Sequence, residues 1–191
     1  MGVDVGSPYN LAELIRLSHV TGGDASQLYF FDPRKLLNKP DFKEIINIMT
    51  VGIPESPHYM PHIIEPDLEE FFSTYPGRII ATDITPSAIP LPNFEFYEND
   101  LILIGNENHG LLPSSNLRLP VSFNSYLDKT LIVPMMGHAW DMPHNDHPRA
   151  YARGQVPNMN LTHAADIILF TGLSQLGYFD NFSILDLALK K

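Results

Sequence analysis

Four apolar runs punctuate this chain without alternating: Leu28-Tyr29-Phe30-Phe31, Ile79-Ile80-Ala81-Thr82, Leu101-Ile102-Leu103-Ile104 and Leu131-Ile132-Val133. Short continuous runs of this kind are read as strands buried on both faces, as in a parallel sheet covered by helices. Helical spacing falls between and after them, over Leu11 to Val20, Asp41 to Met49, Asp67 to Tyr75, Leu161 to Phe170 and Ser183 to Leu189. Leu11, Leu14 and Ile15 give the first helix an apolar face, and Arg16 lies off that face. Pro66, Asp67, Glu69 and Glu70 suit a helix start, where proline fits and acids meet the positive end of the dipole. The alternation of strand and helix predicts an α/β fold with a mainly parallel sheet flanked by helices.

Two stretches break that rhythm. Residues 53 to 66 carry Pro54, Pro57, Pro61 and Pro66 and read as a long, semi-rigid loop. Residues 137 to 157 carry His138, Trp140, Asp141, His144, Asp146, His147, Arg149 and Arg153, and a loop of that length inside a domain is more often functional than inert. With no internal repeat or linker, residues 1–191 read as a single domain with an insertion at about 138–157.

Composition narrows the chemistry. The absence of cysteine excludes disulfides, thiol nucleophiles and thiolate metal sites, and fits a cytoplasmic setting. No run reaches the length of a membrane span, and Met1 to Val5 has neither the basic region nor the apolar core of an export signal. Twelve Lys+Arg against 22 Asp+Glu give a net charge of −10, which disfavours free-standing nucleic-acid binding unless arginines cluster or a partner supplies charge.

Three segments carry candidate chemistry. Pro8-Tyr9-Asn10 precedes a helix bearing Arg16, and Asn10 is placed to cap that helix. Gly105-Asn106-Glu107-Asn108-His109-Gly110 follows a strand, and the carboxyl end of a strand is where open α/β sheets bind ligands. The two glycines are spaced like the outer glycines of a P-loop, but Leu111-Leu112 stand in place of Lys-Ser/Thr, so a phosphate cradle is rejected. The third segment pairs Val133-Pro134-Met135-Met136-Gly137, at a strand end, with Asn158-Met159-Asn160-Leu161-Thr162-His163-Ala164-Ala165. There Asn158 or Asn160 caps a helix, and the small alanines permit close packing. Taken singly, each segment is equally well an ordinary capped helix, glycine turn or strand–loop–helix connection.

In order and spacing, the three together resemble the motifs of the SpoU/TrmH class of the SPOUT superfamily, S-adenosylmethionine-dependent RNA methyltransferases. Pro8, Asn10 and Arg16 match the first motif. Gly105 to Leu111 matches the second, Gly-Asn-Glu-x-x-Gly-Leu. Val133 to Gly137 and Asn158 to Ala165 match the third with conservative changes. The resemblance implies a C-terminal deep trefoil knot and a homodimer whose active site combines both subunits. It implies methyl transfer to a ribose 2′-hydroxyl of tRNA or rRNA. Arg16, Asn10, Glu107 and Asn160 match the catalytic positions. Gly105, Asn106, Glu107, Val133, Met135, Gly137, Met159 and Leu161 would hold S-adenosyl-L-methionine.

The chain departs from the family's pattern in three places. Asn108-His109 stands where an arginine often follows the motif two glutamate, and Asn158 replaces a serine. A stretch of about twenty residues, His138 to Pro157, separates the two halves of motif three, long against ordinary loops. Within it, Arg149 and Arg153 with Trp140 and Tyr151 mix cations and aromatics as single-strand RNA contacts do. Its histidines and aspartates are also of metal-ligand type, although a metal site needs three or four ligands in fixed geometry, and none is assigned. Two rivals therefore stand beside the methyltransferase: a non-catalytic homologue that binds the donor or a partner, and a metal-dependent enzyme using residues 138–147. With no appended RNA-binding domain visible, target selection falls to the domain itself or to an accessory protein.

Overall fold

In a computed structural model of the chain, the structure describes residues 1–21, 28–49, 62–63, 67–83, 85–106, 110–111, 123–134 and 159–180. The strands are β1 (Gly2–Val3), β2 (Tyr29–Phe31), β3 (His62–Ile63), β4 (Ile79–Thr82), β5 (Ile89–Pro90), β6 (Leu101–Leu103) and β7 (Lys129–Ile132). The α-helices are α1 (Pro8–Val20), α2 (Phe42–Met49), α3 (Leu68–Thr74) and α4 (Leu161–Gln175), with single 3-10 turns at Leu36–Asn38, Leu91–Asn93 and Phe123–Tyr126.

All strand pairs among the described residues are parallel. One ladder runs β1-β2-β3 and the other β5-β7-β4-β6. They meet at a parallel bridge between Gly2 and Ile104, where Val3 N–H donates to the Ile104 carbonyl and Ile104 N–H to the Met1 carbonyl, each at 2.8 Å. The whole is a seven-stranded parallel arrangement in the order β3-β2-β1-β6-β4-β7-β5. The mainly parallel sheet expected from the continuous apolar runs is thus observed.

Because strand side chains alternate between faces, the two halves of each run feed two cores. Phe30, Ile80, Ile104 and Leu131 pack under α1, α2 and α4, with Leu11, Ile15, Phe42, Ala165 and Ile168. Val3, Phe31, Ile79, Ala81, Leu101 and Leu103 pack on the opposite side with Leu68 and Phe72 of α3 and with Phe123. Helices thus cover both faces of the sheet, which is why its strands show no polar alternation.

The helix starts sharpen the sequence reading. α1 begins at Pro8, not Leu11, so Asn10 lies inside its first turn and is not its cap. The reason is in the backbone: Leu11 N–H already donates to the Ser7 carbonyl at 3.1 Å, and Pro8 lacks only an N–H that the helix start leaves unused. Asp67 caps α3 by accepting from Glu70 N–H at 2.9 Å. Asn160 caps α4, accepting from the Thr162 N–H (2.9 Å) and Oγ1 (2.7 Å). β1, β3 and β5, each of two residues, are too short to announce themselves by periodicity. The helix expected at Ser183 to Leu189 lies outside the described residues.

Candidate functional site

The carboxyl ends of β4, β6 and β7 converge on one small cavity of about 130 Å³. Gly105, Asn106, Val133, Met159 and Leu161, all expected as donor-binding residues, line it together with Thr82, Asp83 and Gly110. Segments more than fifty residues apart in sequence therefore meet at one cavity. Glu107, Met135, Gly137, Arg149, Arg153 and the His138–His147 cluster lie outside the described residues.

Motif two is closed by backbone. Asn106 N–H donates to the Gly110 carbonyl at 3.1 Å, and Gly110 N–H to the Asn106 carbonyl at 2.8 Å. Gly110 adopts φ +65, a left-handed conformation that favours glycine. A Cβ on Gly105 would stand 2.6 Å from the Gly110 carbonyl carbon and 2.8 Å from the Leu111 nitrogen, so only glycine permits this approach. Both glycines serve the close approach of Asn106 and Gly110.

A polar relay ties this turn to the first motif. The buried Asn106 donates from Nδ2 to the Asp4 carbonyl at 2.7 Å. Asp4 ends β1 at φ 48 and is buried, and its carboxylate accepts a forked pair from Arg34, Nε to Oδ1 at 2.7 Å and Nη2 to Oδ2 at 3.0 Å. A bidentate arginine fixes orientation as well as charge, which holds Asp4 in a conformation that non-glycine residues seldom adopt. Asp32, also buried, accepts from Leu37 N–H at 2.8 Å and shapes the turn that delivers Arg34. The turn after β1 leads directly into α1, so the position of Asn106 is coupled to that of Asn10 and Arg16.

Arg16 and Asn10 do not line the cavity. Arg16 is exposed on α1, with Nη1 3.9 Å from Glu13 Oε1. Asn160 stands at the mouth-forming start of α4, between Met159 and Leu161, with its Oδ1 engaged in the cap.

Sequence reasoning missed Thr82, Asp83, Asp4 and Arg34. The signal for the first two was present, since Thr82-Asp83 directly follows an apolar run and so falls at a strand's carboxyl end. Thr82 is turned into the sheet, Oγ1 donating to the Leu103 carbonyl at 2.7 Å. The Asp4–Arg34 pair spans thirty positions of sequence and had no local signature.

A larger cavity, about 660 Å³, opens between α1, α4 and the segment before β6, against Leu14, Leu17, Phe96, Leu101 and Leu173. None of the expected site residues lines it. Volume favours it, but position and chemistry favour the smaller cavity at the strand carboxyl ends.

No protein-family model matches the chain, and a search of curated proteins finds no match. Solved structures do match. One, from work on 2-OH methylation on tRNA, superposes with a TM-score of 0.63 at 21% identity, over 93% of this chain and 94% of that one. The TrmH/SpoU tRNA modifying enzyme of A. aeolicus gives 0.62 at 16% identity, over 96% and 79%. The SpoU methyltransferase AviRb from Streptomyces viridochromogenes, in complex with AdoMet, gives 0.55 at 20% identity, over 92% and 57%. The chain therefore shares with these SpoU/TrmH methyltransferases an α/β fold, a parallel sheet flanked by helices, as the sequence predicts.

Proposed function

We propose that this protein is an S-adenosylmethionine-dependent methyltransferase of the SpoU/TrmH class acting on a ribose 2′-hydroxyl of tRNA or rRNA. The observation that carries the reading is the convergence of Gly105, Asn106, Val133, Met159 and Leu161 on one cavity at the strand carboxyl ends. The walls fit the donor's mixed character: apolar side chains from Ile104, Leu131 and Ile168, backbone from the glycine turn, and the Asp83 side chain. The fold neighbours add weight, being tRNA and rRNA methyltransferases of which AviRb and the Sinorhizobium meliloti enzyme are AdoMet-bound. The resemblance supports a trefoil knot formed by the motif two and motif three loops, and the cysteine-free composition supports a cytoplasmic site of action. No helix among the described residues is long and apolar enough to cross a membrane.

In this reading the donor supplies a methyl group already activated on a sulfonium. The protein's task is to orient the acceptor and help remove its proton, and proximity supplies much of the rate. Arg16 clamps the phosphate beside the target ribose; a free arginine stays protonated near neutrality, so positioning is its role in preference to general base. Asn160 holds the α4 start through Oδ1, which leaves its amide nitrogen to orient the hydroxyl. Glu107, at a matched catalytic position, joins Asn160 in orienting the hydroxyl. Arg149 and Arg153 supply the phosphate contacts that Asn108-His109 cannot.

Because Arg16 is exposed and away from its own subunit's cavity, it serves the partner's site in a homodimer. Ile167 and Phe170 of α4, both exposed, suit that interface. RNA is the substrate, and the net charge of −10 makes an accessory protein for targeting a natural complement.

The deciding experiment is calorimetric titration with S-adenosylmethionine, followed by methyl transfer to total RNA. Absence of donor binding at millimolar ligand overturns the reading. Binding without transfer selects the non-catalytic homologue, which the acidic charge would favour. Arg16→Ala should abolish transfer while donor affinity stays nearly intact, and it should change stability by under about 0.5 kcal/mol, as expected for an exposed residue.

A further inference from the structure

We infer that Asp83 is a charge-selectivity residue of this cavity, favouring the cationic sulfonium donor over its neutral thioether product. The inference rests on the donor-binding reading of the cavity given above. Asp83 follows β4 and is the one charged residue among the described residues that line it. Its position is fixed from two sides. Its N–H donates to the Leu131 carbonyl of β7 at 3.2 Å. Its carboxylate lies directly beneath the motif two turn, where a Cβ on Gly110 would stand 3.4 Å from both carboxylate oxygens. Asp83 therefore sits where the turn after β6 meets the end of β7, the two segments expected to embrace the donor.

The other polar side chains at this place are directed elsewhere. Thr82 Oγ1 donates to Leu103, and Asn106 Nδ2 donates to the Asp4 carbonyl. Asp83 Oδ2 is enclosed by protein, so its field is little screened by solvent or salt. Such a charge acts on a ligand without touching it, because the energy falls only as the inverse of distance. The methyl donor carries one more positive charge than the product that remains after transfer. A fixed carboxylate beside both therefore binds the donor more tightly than the product and relieves product inhibition. A cavity walled only by apolar groups and backbone would lack that preference.

The test is calorimetry of the full chain with S-adenosylmethionine and with S-adenosylhomocysteine, expressed as the ratio of the two dissociation constants on one preparation. Any inactive fraction cancels in that ratio. Asp83→Asn should shift the ratio toward the product by about threefold or more, while Asp83→Glu, which keeps the charge, should hold the wild-type preference. A smaller shift in Asp83→Asn, or an equal shift in Asp83→Glu, overturns the inference while leaving the donor reading intact. If Asp83→Asn does not give folded protein, Asp83→Ser replaces it; failure of both to fold assigns Asp83 to structure and overturns the inference. If the unaltered protein binds neither ligand, the donor reading falls, and this inference with it.

Discussion

The two ends of the sheet hold two cavities, and the residues expected to bind the donor line the smaller one. At the amino ends of β4 and β6 the groove of about 660 Å³ is bordered by groups that already answer one another. Arg78 donates to Asp100 through Nε (2.8 Å) and Nη2 (2.6 Å), and again to the Glu95 carbonyl (2.9 Å). Its guanidinium lies 4.1 Å from the centre of the Tyr97 ring, and Asp100 holds its pKa above the ordinary arginine value, first through that hydrogen bond. At the carboxyl ends the same residue types do different work. Asp4 and Arg34 brace a turn, glycines replace bulk, and the space of about 130 Å³ is lined by motif residues. Large aromatic side chains line one end and a glycine turn the other, so the two ends differ in the placement of chemistry and not in volume alone.

The sharpest way to break this contrast is to damage each end separately. Asp100→Ala should cost about 2–3 kcal/mol in urea unfolding, below the 3–5 typical of a fully buried pair because the Arg78 side chain is 27% exposed. Donor affinity, measured where the variant is still folded, should not change. Gly105→Ala should cost a comparable amount, about 1–3 kcal/mol, because its new Cβ meets backbone that cannot move aside cheaply. Here donor affinity should fall at least as steeply as stability. Asn106→Ala should cost about 1–2 kcal/mol by leaving the buried Asp4 carbonyl without its amide donor, and should also weaken donor binding. If Asp100→Ala and Gly105→Ala weaken donor binding alike, the division between scaffold end and site end is wrong.

Much of this division was legible in the sequence, for physical reasons that differ by element. The four continuous apolar runs predict β2, β4, β6 and β7, because burial on both faces leaves no polar position to confuse the pattern. That Gly105, Asn106, Val133, Met159 and Leu161 line one cavity accords with a motif spacing that can be read even when its parts are distant in sequence. The two-residue strands β1, β3 and β5 were not, since they are defined by hydrogen bonds to neighbours and not by periodicity. Nor was the Asp4–Arg34 brace, whose partners meet only once β1 and β2 pair. Asn10 was misplaced as a cap because proline and asparagine both suit a helix start, and the Ser7 carbonyl decided between them. Asp83 carries no sequence signal beyond its place after a strand.

The smallest expected effect is a pH dependence confined to the scaffold end. Tyr75 donates its hydroxyl to the Asn99 carbonyl at 3.2 Å and lines the larger cavity. Its pKa is raised above the ordinary 10.0, first by burial and then by the neighbouring Tyr29 and Asp100. Both the hydrogen bond and the burial need the neutral phenol. The unfolded chain therefore loses this proton at lower pH than the folded one. The stability from the raised pKa is fully present below pH 10 and is lost as pH climbs through the folded value. Thermal melts should show no pH dependence from this group near neutrality, where its stability is fully present, and a decline above about pH 10, shallower in Tyr75→Phe, which has no proton to lose. Donor affinity at neutral pH should be the same in both proteins. A change in donor affinity in Tyr75→Phe would mean that the larger cavity communicates with the smaller one, and the two ends of the sheet would have to be treated as one site.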